Sequence, residues 1–287
     1  YEASKYSVIA FLFLGMLIGD TSGKNSYPYI IYLLLLLPGI LVAYFNLNYN
    51  TNFRKAVAFN LSGPICLGIA ALYCYNRPIK LKSLQTVLLY GLLPIISTTV
   101  YLFLYTPSIK DVVYGTGSNF AASGGFGPNQ VSTVLGLGVF LLSGRLFLQS
   151  KSLFLKIINI SILVLITYRA IVTFSRGGVL VAFIIVVAFI FSYYFRASFR
   201  SKSKILWSVV VMIIGMMLTW YISSETTLGL IDKRYSNQDA IGREKSDITT
   251  GRSKIFTAEL NEFLENPFLG VGVGKLKEIR YEKEGVL

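Results

Sequence analysis

The sequence predicts an all-α protein: a polytopic transmembrane helix bundle of about eight spans, with a large, partly helical extracytoplasmic loop. Three observations predict it. Hydrophobic residues make up 54% of the 287, and mean hydropathy is +0.60. Charged residues are only 14%, against roughly 25% in a soluble domain. Several apolar runs exceed the ~18 residues that mark a spanning helix.

Eight apolar segments follow one another, at roughly 6–19, 28–45, 56–75, 84–106, 129–149, 153–173, 177–195 and 204–222. The first is short and reads as a clipped span. It lacks the small-residue cleavage site of a signal peptide, and many spans follow it. Pro38, Pro64 and Pro94 lie inside segments, where a membrane helix tolerates kinks. The division is therefore a bundle over 1–222 and an extracytoplasmic loop over 223–287. The chain begins at Tyr1 and ends in a polar segment, so it reads as a fragment truncated within that loop.

Charge sets the orientation. Residues 1–222 hold 17 Lys/Arg against 3 Asp/Glu, whereas 223–287 hold 10 against 11. The excess thus belongs to the short loops of the bundle, which is topogenic charge and not a nucleic-acid surface. Arg196, Arg200, Lys202 and Lys204 share one loop without an acid, so that loop is cytoplasmic. Alternation puts 76–83 (Arg77, Lys80, Lys82) and 145–156 (Arg145, Lys151, Lys156) on the same side. It puts 107–128, the turn at 175–178 and all of 223–287 outside. Arg54 and Lys55 fall outside and disagree with the majority.

Cys66 and Cys74 share one span eight residues apart, too far to bridge, and read as packing residues. There is no histidine, which removes the usual general base and the commonest metal ligand. No cysteine or histidine cluster points to a metal. Gly270-Val271-Gly272-Val273-Gly274-Lys275 lacks the Gly-Lys-Ser/Thr and the preceding strand of a phosphate loop, so no nucleotide is expected.

The informative charges are arginines. Arg176 stands in Thr173-Phe174-Ser175-Arg176-Gly177-Gly178 between two apolar runs, and Arg169 lies seven residues earlier inside the first. Charge in or beside a span is costly and usually has a partner or a task. If the helix ran on to Arg176, both guanidiniums would project from one face. They could then hold a pyrophosphate through bidentate hydrogen bonds. The alternative for Arg176 is snorkelling at the interface. The 107–128 loop ends Gly124-Gly125-Phe126-Gly127-Pro128-Asn129-Gln130, and Pro128 suits the first turn of the next helix.

The tail opens as a loose, charged stretch at 232–237. A helix starts near Thr250-Gly251-Arg252, with Phe256, Leu260, Phe263 and Leu264 as an apolar stripe. Asn266-Pro267 stops it, and a short helix follows within 275–283. The tail could lie on the outer membrane face as a lid, with Phe256 and Leu260 turned to the spans. Glu259, Glu262 and Glu265 read as its polar face. Arg252 follows Gly251 at the helix start, where free backbone N–H groups favour an anion. Arg234 and Arg243 are further basic candidates, or plain solvated charges among eleven acids.

Together these residues resemble a family. Ser175-Arg176-Gly177-Gly178-Val179-Leu180 is similar to its Arg-Gly-x-x-Leu-type motif at a span end. Thr250-Gly251-Arg252-Ser253-Lys254-Ile255-Phe256, followed by Glu265-Asn266-Pro267-Phe268-Leu269-Gly270-Val271-Gly272-Val273-Gly274, is similar to its outer loop. Gly127-Pro128-Asn129 resembles an earlier Pro-Asn. The family is the O-antigen ligase and O-antigen polymerase-like membrane glycosyltransferases, and the resemblance covers roughly 107–287.

The resemblance implies a multi-pass protein of the bacterial inner (cytoplasmic) membrane. The donor would be a glycan on undecaprenyl diphosphate and the acceptor a glycan or lipid A core, with membrane lipid around both. No metal, cofactor or nucleic acid is implied. Arg176 and Arg252 would bind the diphosphate, while Arg169 joins them only by spacing. The family's catalytic histidine would lie beyond Leu287, so residues 1–287 alone are expected to be inactive. Ligase and polymerase share these motifs. A flippase for lipid-linked oligosaccharide, or a structural membrane protein, remains an alternative. Intramembrane charge confined to one helix and the absence of an internal repeat favour the enzyme.

Overall fold

The computed structural model describes residues 2–18, 26–150 and 152–284. Lys151 and the side chain of Arg200, both used for orientation above, lie outside the described residues. Thirteen helices and no named strand occur among the described residues. They are α1 (Glu2–Ile18), α2 (Tyr27–Leu35), α3 (Leu37–Asn46), α4 (Phe53–Cys74), α5 (Leu81–Tyr105), α6 (Ile109–Val112) and α7 (Pro128–Leu148). Then come α8 (Leu153–Ile171), α9 (Arg176–Arg196), α10 (Phe199–Thr226), α11 (Leu230–Tyr235), α12 (Arg252–Glu265) and α13 (Lys275–Glu284).

Among the described residues, seven stretches are long and apolar enough to cross a membrane, with the α2–α3 pair as one of them and Lys5–Ile18 as a shorter apolar helix. The protein is a polytopic helical bundle. A span must satisfy its own backbone groups in lipid, so continuous apolar sequence becomes continuous helix. Pro64 and Pro94 sit within unbroken helices. Only Pro38 accompanies a break, at Leu36 between α2 and α3.

The chain forms two compact units, Tyr1–Ile79 with Thr249–Leu287, and Lys80–Ile248. The tail is thus shared between them. In the second unit α7 is central. Leu92, Ile95 and Leu102 of α5, Leu135 and Leu142 of α7, Ile166 of α8 and Val186 of α9 form its buried core. Gly178 sets how closely α9 crosses α7. A Cβ there would stand 2.2 Å from Ser132 Oγ and 2.5 Å from Ser132 C. A smaller cluster of Ile109, Val113, Ala122, Val172, Phe174 and Ile231 seals the end of this unit where the 106–127 loop, the α8–α9 turn and α11 meet.

In the first unit the chain after α12 docks on the membrane hairpin. Val273 N donates to Gly39 O at 3.1 Å, and Asn46 Nδ2 donates to Val271 O at 3.2 Å. Gly272 has φ +101°, and a Cβ would meet Ala43 N at 2.7 Å, so this position requires glycine. The glycine run is a docking strap. Glu278 then receives bonds from Asn48 N, Thr51 Oγ1 and Lys275 Nζ. Burial alone would raise its carboxyl pKa. The bonds from Lys275, Thr51 and Asn48 outweigh this and hold it below the usual range.

Two expectations are corrected. α10 runs to Thr226, beyond the expected end at 222. The stretch from Asp232 is not loose, because Leu230–Tyr235 is the helix α11, with Ile231 and Arg234 buried. Asp232 ties it to α10 by accepting bonds from Trp220 Nε1 at 2.8 Å and from Ser224 Oγ. By contrast, α12 begins at Arg252 behind a left-handed Gly251 and stops at Asn266. Phe256 and Leu260 on α12 are exposed.

Candidate functional site

The site is built on the break between α8 and α9. The helix does not continue from Arg169 to Arg176, so the two arginines do not share a helical face. α8 ends at Ile171, and Phe174 adopts φ 59° while fully buried. A left-handed non-glycine residue costs on the order of 1–2 kcal/mol and persists only where its surroundings enforce it. Here the apolar cluster around Phe174 holds the ring, and Arg234 Nε donates to its carbonyl at 3.2 Å. The turn aims Ser175 and Arg176 as the first residues of α9.

Ser175 stands at the N-cap of α9 but its side chain caps no amide. Its hydroxyl bonds Asn129 Oδ1 at 2.8 Å, and its carbonyl accepts from Ser132 Oγ at 3.1 Å. The Pro-Asn of α7 and the Ser-Arg-Gly-Gly of α9 are therefore one structure. The first-turn N–H groups of α9 keep their positive end of the helix dipole beside Arg176.

The half-buried Arg176 donates from Nη1 to Arg234 O at 3.4 Å and from Nη2 to Ile248 O at 2.5 Å. Both acceptors are neutral carbonyls, and no ion pair to Arg176 occurs among the described residues. Its charge is held in position without being neutralised. Next to it, Tyr235 packs edge-on against Trp220 with ring centroids 4.8 Å apart. The Tyr235 hydroxyl is buried without a hydrogen-bond partner among the described residues. Burial pushes its pKa up to about 12, against the opposing pull of Arg176 and Arg234. It is thus a neutral phenol with a free O–H to donate. An anion arriving here would meet Arg176, the Tyr235 hydroxyl and the start of α9.

The other candidates are placed differently. Arg169 is 3% exposed; its Nη2 donates to Thr106 Oγ1 and to Ala122 O, both at 2.9 Å, and its guanidinium lies 5.3 Å from the Phe103 ring centre. It binds the 106–127 loop to α8. That loop is folded: Asn119 N donates to Thr173 O at 3.3 Å, and Lys245 Nζ donates to Thr116 Oγ1 at 2.7 Å. Arg243 pairs with Asp239 at 2.9 Å on the surface. Arg252 is exposed at the start of α12 in the other compact unit. Sequence reasoning missed Tyr235, for which the sequence held no signal beyond its place beside Arg234. Among the described residues no group of three or more His, Cys, Asp or Glu side chains is placed to hold a metal.

A cavity of about 620 Å³ opens between α7, α8, α9 and α10. Its lining runs from Lys156 and Lys204, at the starts of α8 and α10, to Trp220 and Tyr235 at their far ends.

No curated protein and no solved structure matches the chain. A family comparison does, with the O-antigen ligase model. Residues 161–286, which hold Arg169, Arg176, Arg234, Tyr235 and Arg252, match the model of the O-antigen ligase family, the family whose motifs the sequence resembles.

Proposed function

We propose that this chain belongs to an enzyme that transfers a glycan from undecaprenyl diphosphate to an acceptor, at the outer face of the bacterial inner membrane. The acceptor is lipid A core in a ligase or another glycan in a polymerase. The observation that carries this reading is Arg176: a positioned guanidinium at the break between two apolar helices, without a counter-ion among the described residues and beside a phenol unpartnered among them. When the acceptor hydroxyl attacks the anomeric carbon, the bond to the diphosphate breaks and negative charge gathers on the leaving group. Arg176 meets that charge where it develops, which is the most effective use of a fixed cation in catalysis. The charge is met by arginine and not by a metal. Arg252 is the second diphosphate ligand in this reading. Arg169 acts from behind, as a positioning residue that fixes the loop over the α8–α9 turn. The acceptor hydroxyl gives up its proton to a base as the new glycosidic bond forms.

The test is complementation with the full-length protein. Arg176→Ala and Arg252→Ala should abolish polymer or ligated ladder with expression intact. Arg176→Lys should not restore it, because an ammonium lacks the bidentate fork. Unchanged surface glycan in both alanine variants would overturn the reading. A flippase remains the second reading. In it, Arg176→Ala would stop movement of the lipid-linked glycan across the membrane and leave cleavage from the diphosphate irrelevant.

A further inference from the structure

We propose that α12 and the glycine strap after it form a re-entrant anchor, with the apolar stripe of α12 seated in the acyl chains of the membrane leaflet in which α3 ends. This goes beyond the donor reading and stands or falls without it.

Three observations carry it. The first is depth. The span Tyr27–Asn46 has 20 residues, about 30 Å of helix and so the full thickness of a hydrocarbon core. Gly39 lies about 10 Å along it from the Asn46 end, at 1.5 Å per residue. Val273 N reaches Gly39 O, whereas Val271 O is held by Asn46 at that end and Glu278 by Asn48 and Thr51 just past it. The chain therefore dips below the membrane surface within 271–274 and returns. Backbone at such depth is tolerated only where protein satisfies it. Here α3 bonds Val271 O and Val273 N, while Gly270 N donates to Asn266 O and Lys275 N to Gly272 O.

The second is the division of α12 into three faces. Ile255, Ala258, Glu259 and Glu262 are half-buried, and Glu259 accepts from Arg280 Nη2 at 3.0 Å. Phe256, Leu260, Phe263 and Leu264 are exposed, and so are Lys254, Asn261 and Glu265. At 3.6 residues per turn the three sets point roughly a third of a turn apart. A helix at the rim of a bundle, lying in a membrane surface, needs these three: one face to protein, one to lipid and one to water. The third is continuity. Phe268 and Leu269, just before the strap, are 96% and 61% exposed and extend the stripe toward the depth of Gly39. An apolar patch of this kind marks a contact, and beside a span at that depth the contact is acyl chain. α12 carries two basic and three acidic residues, so insertion and not attraction to anionic lipid holds it.

The experiment places single spin labels in the full-length protein, reconstituted in liposomes of phosphatidylethanolamine and phosphatidylglycerol. Cys66→Ala and Cys74→Ala clear the native thiols of this region. Labels go onto the stripe through Phe256→Cys, Phe263→Cys and Phe268→Cys, and onto the polar face through Lys254→Cys and Glu265→Cys. Collision rates are measured with oxygen, which concentrates in lipid, and with a nickel chelate, which stays in water. A thermal melt checks folding. The oxygen-to-nickel ratio should be severalfold higher at the three stripe positions than at the two polar ones. Gly272→Ala drives a methyl against Ala43 N, so it should free the strap and lower the ratio at 268. If that variant does not fold, the five labels on the intact strap still decide. Low rates with both agents at the stripe would mean a protein cover, either a second copy or another part of the chain, and would overturn the proposal. Nickel rates at the stripe equal to those at the polar face would mean water, and would overturn it too. Glycan transfer is assayed separately. A wild type that transfers nothing but shows the lipid signature would sink the donor reading and leave the anchor standing.

Discussion

Ser175 and Asn129 are joined side chain to side chain at 2.8 Å, although 46 residues separate them. This bond fixes the start of α7 to the start of α9, and so sets where Arg176 begins its helix. Asn129→Ala removes one net hydrogen bond, worth about 1 kcal/mol. The expected outcome is a small drop in melting temperature, of about 2–4 °C, with a much larger loss of glycan transfer. A melt alongside an activity assay checks it.

Gly178→Ala should fail for a steric reason. The added methyl has the Ser132 main chain in its way at 2.5 Å, and that backbone cannot swing aside. Overpacking of this kind costs about 1–3 kcal/mol. Ser132→Ala should not rescue it, since the carbonyl carbon and oxygen of Ser132 remain. Thermal melts of the single and double variants test this.

Arg169 gives a prediction about order. Arg169→Met leaves Ala122 O without its donor, a buried deficit of about 1–3 kcal/mol. Amide exchange should rise across 119–126 while α9 stays protected. If exchange is unchanged, Arg169 does not hold the loop.

Tyr235→Phe should leave stability within about 0.5 kcal/mol, because the hydroxyl bonds nothing among the described residues. Binding of undecaprenyl diphosphate should nonetheless fall about tenfold, as expected for loss of a donor to a charged group worth roughly 1.5 kcal/mol. Native mass spectrometry of the variant against the wild type measures it.

The docking of α13 depends on pH through Glu278. Its folded pKa is depressed, so the carboxylate contributes stability above the ordinary value of 4.5. That contribution is lost as pH falls from there through the lowered folded value. Amide exchange in 273–284 should therefore be flat from neutral pH to about 5 and rise in more acidic buffer. Glu278→Gln should show the faster exchange at neutral pH already.

How much of this was legible in the sequence follows from the physics of each element. The spans were, because lipid demands unbroken apolar helix. The ends of α12 were too, since Gly251 and Asn266-Pro267 act locally. α11 was not: six residues with three charges carry no periodicity, and it exists because Ile231 is buried and Asp232 is bonded to Trp220. The left-handed Phe174 was hidden for a similar reason, as its conformation is enforced by contacts distant in the chain. Arg176 stood out as a charge between apolar runs. Its neighbour Tyr235, 59 residues later, looked like any tail tyrosine. The contact of the glycine strap at 270–274 with Gly39 and Ala43 is visible only in the fold.

The most direct test is donor consumption by the purified full-length protein with a glycan on undecaprenyl diphosphate. The account predicts release of undecaprenyl diphosphate matched by glycan transfer, with Arg176→Ala slower on the order of 100-fold. Intact donor in the presence of acceptor, or an Arg176→Ala rate equal to wild type, would contradict it.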